Sequence, residues 1–206
     1  MIGVGLAIFQ QATGINTVIY FAPVIFQSAG LSSASVAILA TAGIGLVNVL
    51  MTIVAIRLVD RIGRRPLLLS GLFGMSVSLC LLATGFMLRP GPAVGWMTAA
   101  SLSAYVGCFA IGLGPVFWLL ISEIFPLAVR ARGMSVATSA NWLANLVVAL
   151  TFLEMLNLLG RPGVFLIYAA LAFGALLFAW GLVPETKGLS LDSLAALWTS
   201  RKVEVR

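Results

Sequence analysis

The chain has 206 residues, 61% of them hydrophobic and only 9% charged, with a net charge of +6 and a mean hydropathy of +1.13. So little polar surface cannot coat a water-soluble domain of this length, and strict polar–apolar alternation is missing, so a β-barrel is excluded and an integral membrane protein built of helices is expected. With no histidine in the sequence, imidazole metal sites and His-based acid–base catalysis fall away, and no metal or cofactor is expected.

At about 20 apolar residues per crossing, six spans fit, at about 2–27, 35–58, 66–88, 94–122, 133–156 and 163–183. Residues 1–188 form the expected six-helix bundle, and residues 189–206 a tail carrying a short amphipathic surface helix from Leu191 to Trp198. The first apolar run passes through polar residues instead of ending at a cleavage site, so it reads as a span and not as a separate signal peptide. Breakers separate the spans: Ser28-Ala29-Gly30, Arg61 to Pro66, Arg89-Pro90-Gly91-Pro92, Pro126 to Arg132, and Gly160-Arg161-Pro162-Gly163. Cys80 and Cys108 both lie inside spans, and no disulfide framework is implied.

The basic residues sit in short connections, which marks them as orientation signals and not as a nucleic-acid surface. Arg57, Arg61, Arg64, Arg65, Arg130, Arg132, Lys187, Arg201, Lys202 and Arg206 fall on one side, against Arg89 and Arg161 on the other. Both termini are therefore expected in the cytoplasm of a cell or plasma membrane.

In the first span, Gln10, Thr13, Asn16, Thr17 and Tyr20 fall on one helical stripe, with Gln11 just off it beside Gly14. Amides facing hydrocarbon are expensive, so this face is expected to meet a polar cavity or another helix. Asn48 stands alone in the second span and reads first as interhelical glue, a common use of buried Asn. Three amides within one and a half turns exceed what packing needs, and Gln10, Gln11 and Asn16 read as ligand groups. In the fourth span Gly114-Pro115 breaks the helix and frees backbone groups that lipid cannot satisfy, so that face must line protein or a wet cavity. Trp118 offers an apolar face and one N–H donor. Glu123 and Arg130 follow at the membrane edge, near enough in sequence to pair. The fifth span clusters Thr138, Asn141, Trp142 and Asn145.

Amides donate and accept as a sugar hydroxyl does, and indole rings suit a sugar's C–H face. No charged side chain lies mid-span to hold an anion, a cation or a proton, with Asp60 in a loop and Glu123 and Glu154 near opposite edges. The implied ligand is neutral and polyhydroxylated. No catalytic constellation is present, so an enzyme is not expected.

Four motifs now acquire a common source. Gln10-Gln11-Ala12-Thr13-Gly14-Ile15-Asn16 resembles the seventh-helix motif of the sugar porters in the major facilitator superfamily. Asp60-Arg61-Ile62-Gly63-Arg64-Arg65 is similar to their signature between helices eight and nine. Gly114-Pro115 through Trp118, Glu123 and Arg130, with Asn141-Trp142 and Asn145, resembles the tenth- and eleventh-helix signature, and Pro184-Glu185-Thr186-Lys187-Gly188 their tail motif.

The resemblance implies an all-α membrane protein: one half, equivalent to helices seven to twelve, of an alternating-access hexose or pentose carrier. It implies sugar contacts at Gln10, Gln11, Asn16, Asn48, Trp118 and Asn141, with Trp142 and Asn145 beside them. Tyr20 and Phe21 would form the outer gate, with Gly114 and Pro115 as the flexible break. Asp60, Arg61, Arg64, Arg65, Glu123, Arg130 and Glu185 would form a cytoplasmic charge network. Ala110 departs from the pattern, standing where some members place a glutamate. The larger departure is length, since six spans are half a carrier, and a missing N-terminal half or a dimer partner is implied beside the lipid bilayer. The competing expectation is a non-transporting binding or regulatory half that pairs with a full-length relative. The identity of the sugar, and symport against facilitated diffusion, stay open.

Overall fold

The computed structural model describes residues 1–29, 33–89 and 91–188, and within them all regular structure is helical. The expected surface helix Leu191–Trp198, together with Gly30 and Pro90, lies outside the described residues. Seven helices run in order: α1 (Ile2–Ala12), α2 (Ile15–Ala29), α3 (Ala34–Ile62), α4 (Arg64–Met87), α5 (Pro92–Ile111), α6 (Leu113–Ile124) and α7 (Arg130–Leu182). Five stretches are long and apolar enough to cross a membrane: Ile2–Ala29, Ala34–Ile62, Arg64–Met87, Pro92–Ile124 and Arg130–Leu182.

Three of these stretches are interrupted. The first breaks at Thr13-Gly14, where Gly14 has φ 83°. The fourth breaks at Gly112 (φ −102°, ψ −97°) and not at Gly114-Pro115 as expected. Pro115 is instead the third residue of α6, a first-turn position where its missing N–H has no intrahelical partner to lose. Helix α7 breaks at Gly160 (φ 67°, ψ 176°), which divides it into arms 130–159 and 161–182.

The expected loop from Arg61 to Pro66 collapses to one residue. Asp60 and Arg61 belong to the last turn of α3, Arg64 and Arg65 to the first turn of α4, and Gly63 alone (φ 109°) makes the turn. Hydropathy drew the boundary inside both helices because charged residues at a membrane edge stay helical while losing apolar character.

In lipid, burying an apolar side chain against a neighbour gains little over burying it against acyl chains, so close approach and interhelical hydrogen bonds hold helices together. α4 and α5 meet backbone to backbone: a Cβ on Gly71 would stand 2.7 Å from the Cys108 carbonyl and 2.8 Å from Gly112 Cα. α1 lies between the arms of α7, bonded through Gln11 to Asn141 on the first and packed through Phe9 on Phe178 of the second, ring centroids 5.4 Å apart. Phe86 near the end of α4 stacks on Phe165 at 5.6 Å, with the Arg161 guanidinium 6.0 Å from its ring, which fixes Gly160 at the far end of α4. Leu6, Leu68, Leu72, Met75, Phe117, Leu120 and Phe165 fill the interior. α3 is the least covered span, with Leu39, Leu46, Val49 and Ile56 exposed.

Replacing Gly71 by Val would force the α4–α5 crossing apart, and overpacking of this kind costs about 1–3 kcal/mol. The expected outcome is a lower midpoint of thermal unfolding in detergent, and an unchanged midpoint would contradict the close crossing.

Candidate functional site

The break at Gly14 decides which polar residues share a face. A continuous helix would align Gln10 with Thr13, Thr17 and Tyr20. The turn at Thr13-Gly14 shifts the phase of α2 relative to α1, so Thr13 and Thr17 point into the protein, both at most 1% exposed, while Tyr20 is open at 64%. Gln10, Gln11 and Asn16 instead converge on one cavity of about 350 Å³, open on one side. Asn48 and Thr52 of α3, Phe109 and Ala110 of α5, Gly114, Pro115 and Trp118 of α6, and Asn141 and Trp142 of α7 complete its wall with Ile15. No charged side chain lines it. Among the described residues, no three His, Cys, Asp or Glu side chains gather as a metal site would need.

The amides form a chain of hydrogen bonds across three helices. Gln10 donates from Nε2 to the carbonyls of Leu113 (3.1 Å) and Gly114 (3.2 Å), and its Oε1 accepts from Asn141 Nδ2 at 2.7 Å. Asn141, 1% exposed, also donates to the Ala7 carbonyl at 3.0 Å and accepts at Oδ1 from Gln11 Nε2 at 3.0 Å. Asn16 Nδ2 donates to Gln11 Oε1 (3.0 Å) and Asn145 Oδ1 (3.1 Å). Asn145 supports the site from behind, outside the residues that wall the cavity. Besides lining the cavity, these amides serve packing, since they bind α1 and α2 to α6 and α7. Asn48 shows the reverse pattern. Expected as glue, it faces the cavity and makes no hydrogen bond to another helix among the described residues, its Oδ1 accepting from Thr52 Oγ1 at 3.4 Å.

Trp118 is 41% exposed on the cavity, its ring edge-on to Phe117 at 4.8 Å. Trp142 of α7, more exposed, also lines the cavity. Of the expected gate residues, Phe21 packs on Phe152 with ring centroids 4.8 Å apart, while Tyr20 is uncovered.

At the other end of α6 the charged residues do gather, with one exchange of partners. Glu123 pairs with Arg64, at 3.0 Å from Nη2 and 3.3 Å from Nε, and not with Arg130. Arg130 donates from Nε to the Phe125 carbonyl at 3.1 Å, because the turn after Phe125 folds its side chain back on its own loop. Arg64 also reaches Asp60 at 3.1 Å. Arg65 donates to the Trp180 carbonyl at 2.7 Å, and the exposed Arg61 gives its carbonyl to Lys187 Nζ.

Glu185 has a role that motif spacing did not reveal. Its carboxylate accepts from the backbone N–H groups of Arg64 (3.0 Å) and Arg65 (3.1 Å), the open first turn of α4, and from those of Thr186 and Lys187 at 2.9 Å. A carboxylate there satisfies orphan donors and complements the helix dipole. The same contact explains Gly63: a Cβ would stand 2.5 Å from Glu185 Oε2. Thr186 Oγ1 donates to Glu123 Oε2, which closes the circuit between α3, α4, α6 and the segment after α7.

Known proteins resemble this chain in sequence and fold. A family model described as "Sugar (and other) transporter" matches residues 1–198. A putative metabolite transport protein of Bacillus subtilis, YwtG, is 45% identical over 193 residues, which cover 93% of this chain and 42% of that protein. The D-xylose-proton symporter of Escherichia coli K12 is 41% identical over 204 residues, covering 96% of this chain and 41% of the symporter. Among solved structures, the major facilitator proton:xylose symporter XylE bound to 6-bromo-6-deoxy-D-glucose superposes with a TM-score of 0.86 at 40% identity, over 96% of this chain and 42% of that one. An inward-open XylE from E. coli gives 0.83 at 40% identity, over 95% and 41%. The chain thus spans about two fifths of the length of the relatives it matches. On the match across residues 1–198, this chain is a multi-pass integral membrane protein that belongs to the sugar transporter family, a family of transporters and not of enzymes.

Proposed function

We propose that the chain supplies the C-terminal half of a monosaccharide carrier that works by alternating access. The observation that carries this reading is the cavity wall: uncharged amides, two tryptophans and no charged side chain around about 350 Å³. Hydroxyls of a pyranose match amides that both donate and accept, and its C–H face matches an indole. A fixed set of amides, held by their own hydrogen bonds, spares the entropy of ordering them around the ligand. A relative is named a D-xylose-proton symporter, and D-xylose is therefore one of the two sugars to test.

In this reading the break at Gly160 is an external turn, and the five apolar stretches make six crossings, the equivalents of helices seven to twelve. Both arm ends of α7 then meet the membrane on the side of Arg64 and Glu185, which the basic residues mark as cytoplasmic. The open faces of α3 and of the cavity are completed by a six-helix N-terminal half, with Tyr20 and Phe21 at the outer gate. Asp60, Arg61, Arg64, Arg65, Glu123 and Glu185, with Arg130 beside them on its own loop, form the expected charged group at the cytoplasmic end, and the exposed Asp60 and Arg61 face the other half. One observation favours a second reading. Both polar ends of Gln10 are already engaged inside the bundle, as a non-transporting half that pairs with a full-length relative would allow.

Flux of radiolabelled D-xylose and D-glucose into proteoliposomes, made with the native polypeptide purified from its membrane, separates the two: sugar binding without flux establishes the second. On the transport reading, Trp118→Ala and Gln11→Ala each weaken sugar binding by about 1–3 kcal/mol, through lost stacking and unpaired amides. Calorimetric titration measures this, and full affinity in a folded variant would remove the residue from the site. Arg64→Ala leaves the half-buried Glu123 without its ion pair, and with solvent screening at this edge the expected loss is about 1–2 kcal/mol. Thermal unfolding in detergent reads it, and a loss-free variant would show that the pair does not hold α4 to α6.

A further inference from the structure

The two interruptions nearest the cavity are tied to each other by side chains that cross between them. From the first broken helix, Gln10 reaches over to the carbonyls of Leu113 and Gly114, where α6 begins. From the second, Tyr105 of α5 reaches back and donates its hydroxyl to the carbonyl of Thr13, where α1 ends, at 2.8 Å. Tyr105 is fully buried and lies outside the residues that wall the cavity, so it cannot touch a ligand there.

A helix interruption has soft dihedrals, and its angle is set by whatever holds the backbone groups it releases. Gln10 and Gln11 precede the Thr13-Gly14 turn and Asn16 comes after it, so that angle decides whether the three amides meet. Tyr168 of the second α7 arm packs its ring on Gly14, where a Cβ would approach to 2.4 Å. Its buried hydroxyl lies beside the Thr17 side chain and bonds to no backbone group of the turn, so Tyr168 contributes shape and a side-chain contact but does not hold the released carbonyl.

We propose that Tyr105 is a positioning residue for the cavity amides, acting through the Thr13 carbonyl. Its hydroxyl fixes the angle between α1 and α2. Together with the Gln10 bonds it links the Gly14 bend to the Gly112 bend, so that α2 and α6 change orientation as a pair. The positioning role rests on the sugar-site reading of the cavity, whereas the mechanical tie does not.

The test compares Tyr105→Phe, which keeps the ring and removes the hydroxyl, with Tyr168→Phe, which removes a hydroxyl that meets only the Thr17 side chain and no backbone group of the turn. Amide hydrogen exchange of the purified polypeptide in lipid nanodiscs is measured over residues 13–18 and over residues 66–86 of α4. The tie predicts about tenfold faster exchange at 13–18 in Tyr105→Phe, with α4 unaltered and Tyr168→Phe like the parent. Equal exchange at 13–18, or acceleration spread evenly over both segments, overturns it, the latter showing a tyrosine that only fills the core. D-xylose titration of the same samples, read by tryptophan fluorescence, predicts a roughly tenfold higher Kd in Tyr105→Phe at full amplitude. An unchanged Kd overturns the positioning role. A parent protein that binds no D-xylose removes the sugar reading and that role with it, and the exchange data alone then decide the tie.

Discussion

A carbonyl or amide released from a helix inside hydrocarbon has no water to accept it, and each such group left alone costs several kcal/mol. That constraint organises this bundle. Wherever the chain departs from helix near the cavity, a side chain from elsewhere arrives. The Tyr105 hydroxyl takes the Thr13 carbonyl. Beyond the second break Gln10 adds a further donor to the Leu113 and Gly114 carbonyls, which belong to the first turn of α6 and are not released by the break. At the charged end, Glu185 receives the exposed N–H groups of α4. The interruptions are therefore also the strongest points of attachment between helices.

The cavity inherits its chemistry from the same rule. Gln10, Gln11, Asn16 and Asn141 line it, yet their mutual hydrogen bonds join α1, α2 and α7. Interhelical glue and cavity lining are not alternatives here. An amide has two donors and an acceptor with two lone pairs, so one side can hold the bundle while the rest faces the opening. A wall assembled this way is held by its own hydrogen bonds, and Asn48 and Trp118, whose polar atoms are not bound to other helices, are its least constrained polar members.

The charged end obeys a different balance. Surface ion pairs are weak in water, but Arg64, Glu123, Glu185 and Thr186 share partners in a closed circuit, and most of Glu185's partners are backbone N–H groups. Backbone donors cannot swing away as long side chains do. The segment after α7 is fastened by them to the start of α4, across the glycine turn that separates α3 from α4.

Composition alone dictated membrane helices, since a chain this apolar has no other way to satisfy its backbone. The placing of Gln10, Gln11, Asn16, Trp118 and Asn141 at helical positions pointed to an uncharged polar face, which in the structure lines one cavity, and the four motifs pointed to the family. Those features depend on residue type and local spacing, which a linear reading contains. Only the tertiary structure decided that the fourth stretch breaks at Gly112 and not at Gly114-Pro115, because the α4–α5 crossing at Gly71 sets that position. It also decided that Thr13 and Thr17 turn away from the cavity, that Glu123 takes Arg64 in place of Arg130, and that the Tyr105 hydroxyl meets the Thr13 carbonyl. Each of these rests on a partner many residues distant, and hydrogen bonds between remote helices leave no periodicity in the chain that makes them.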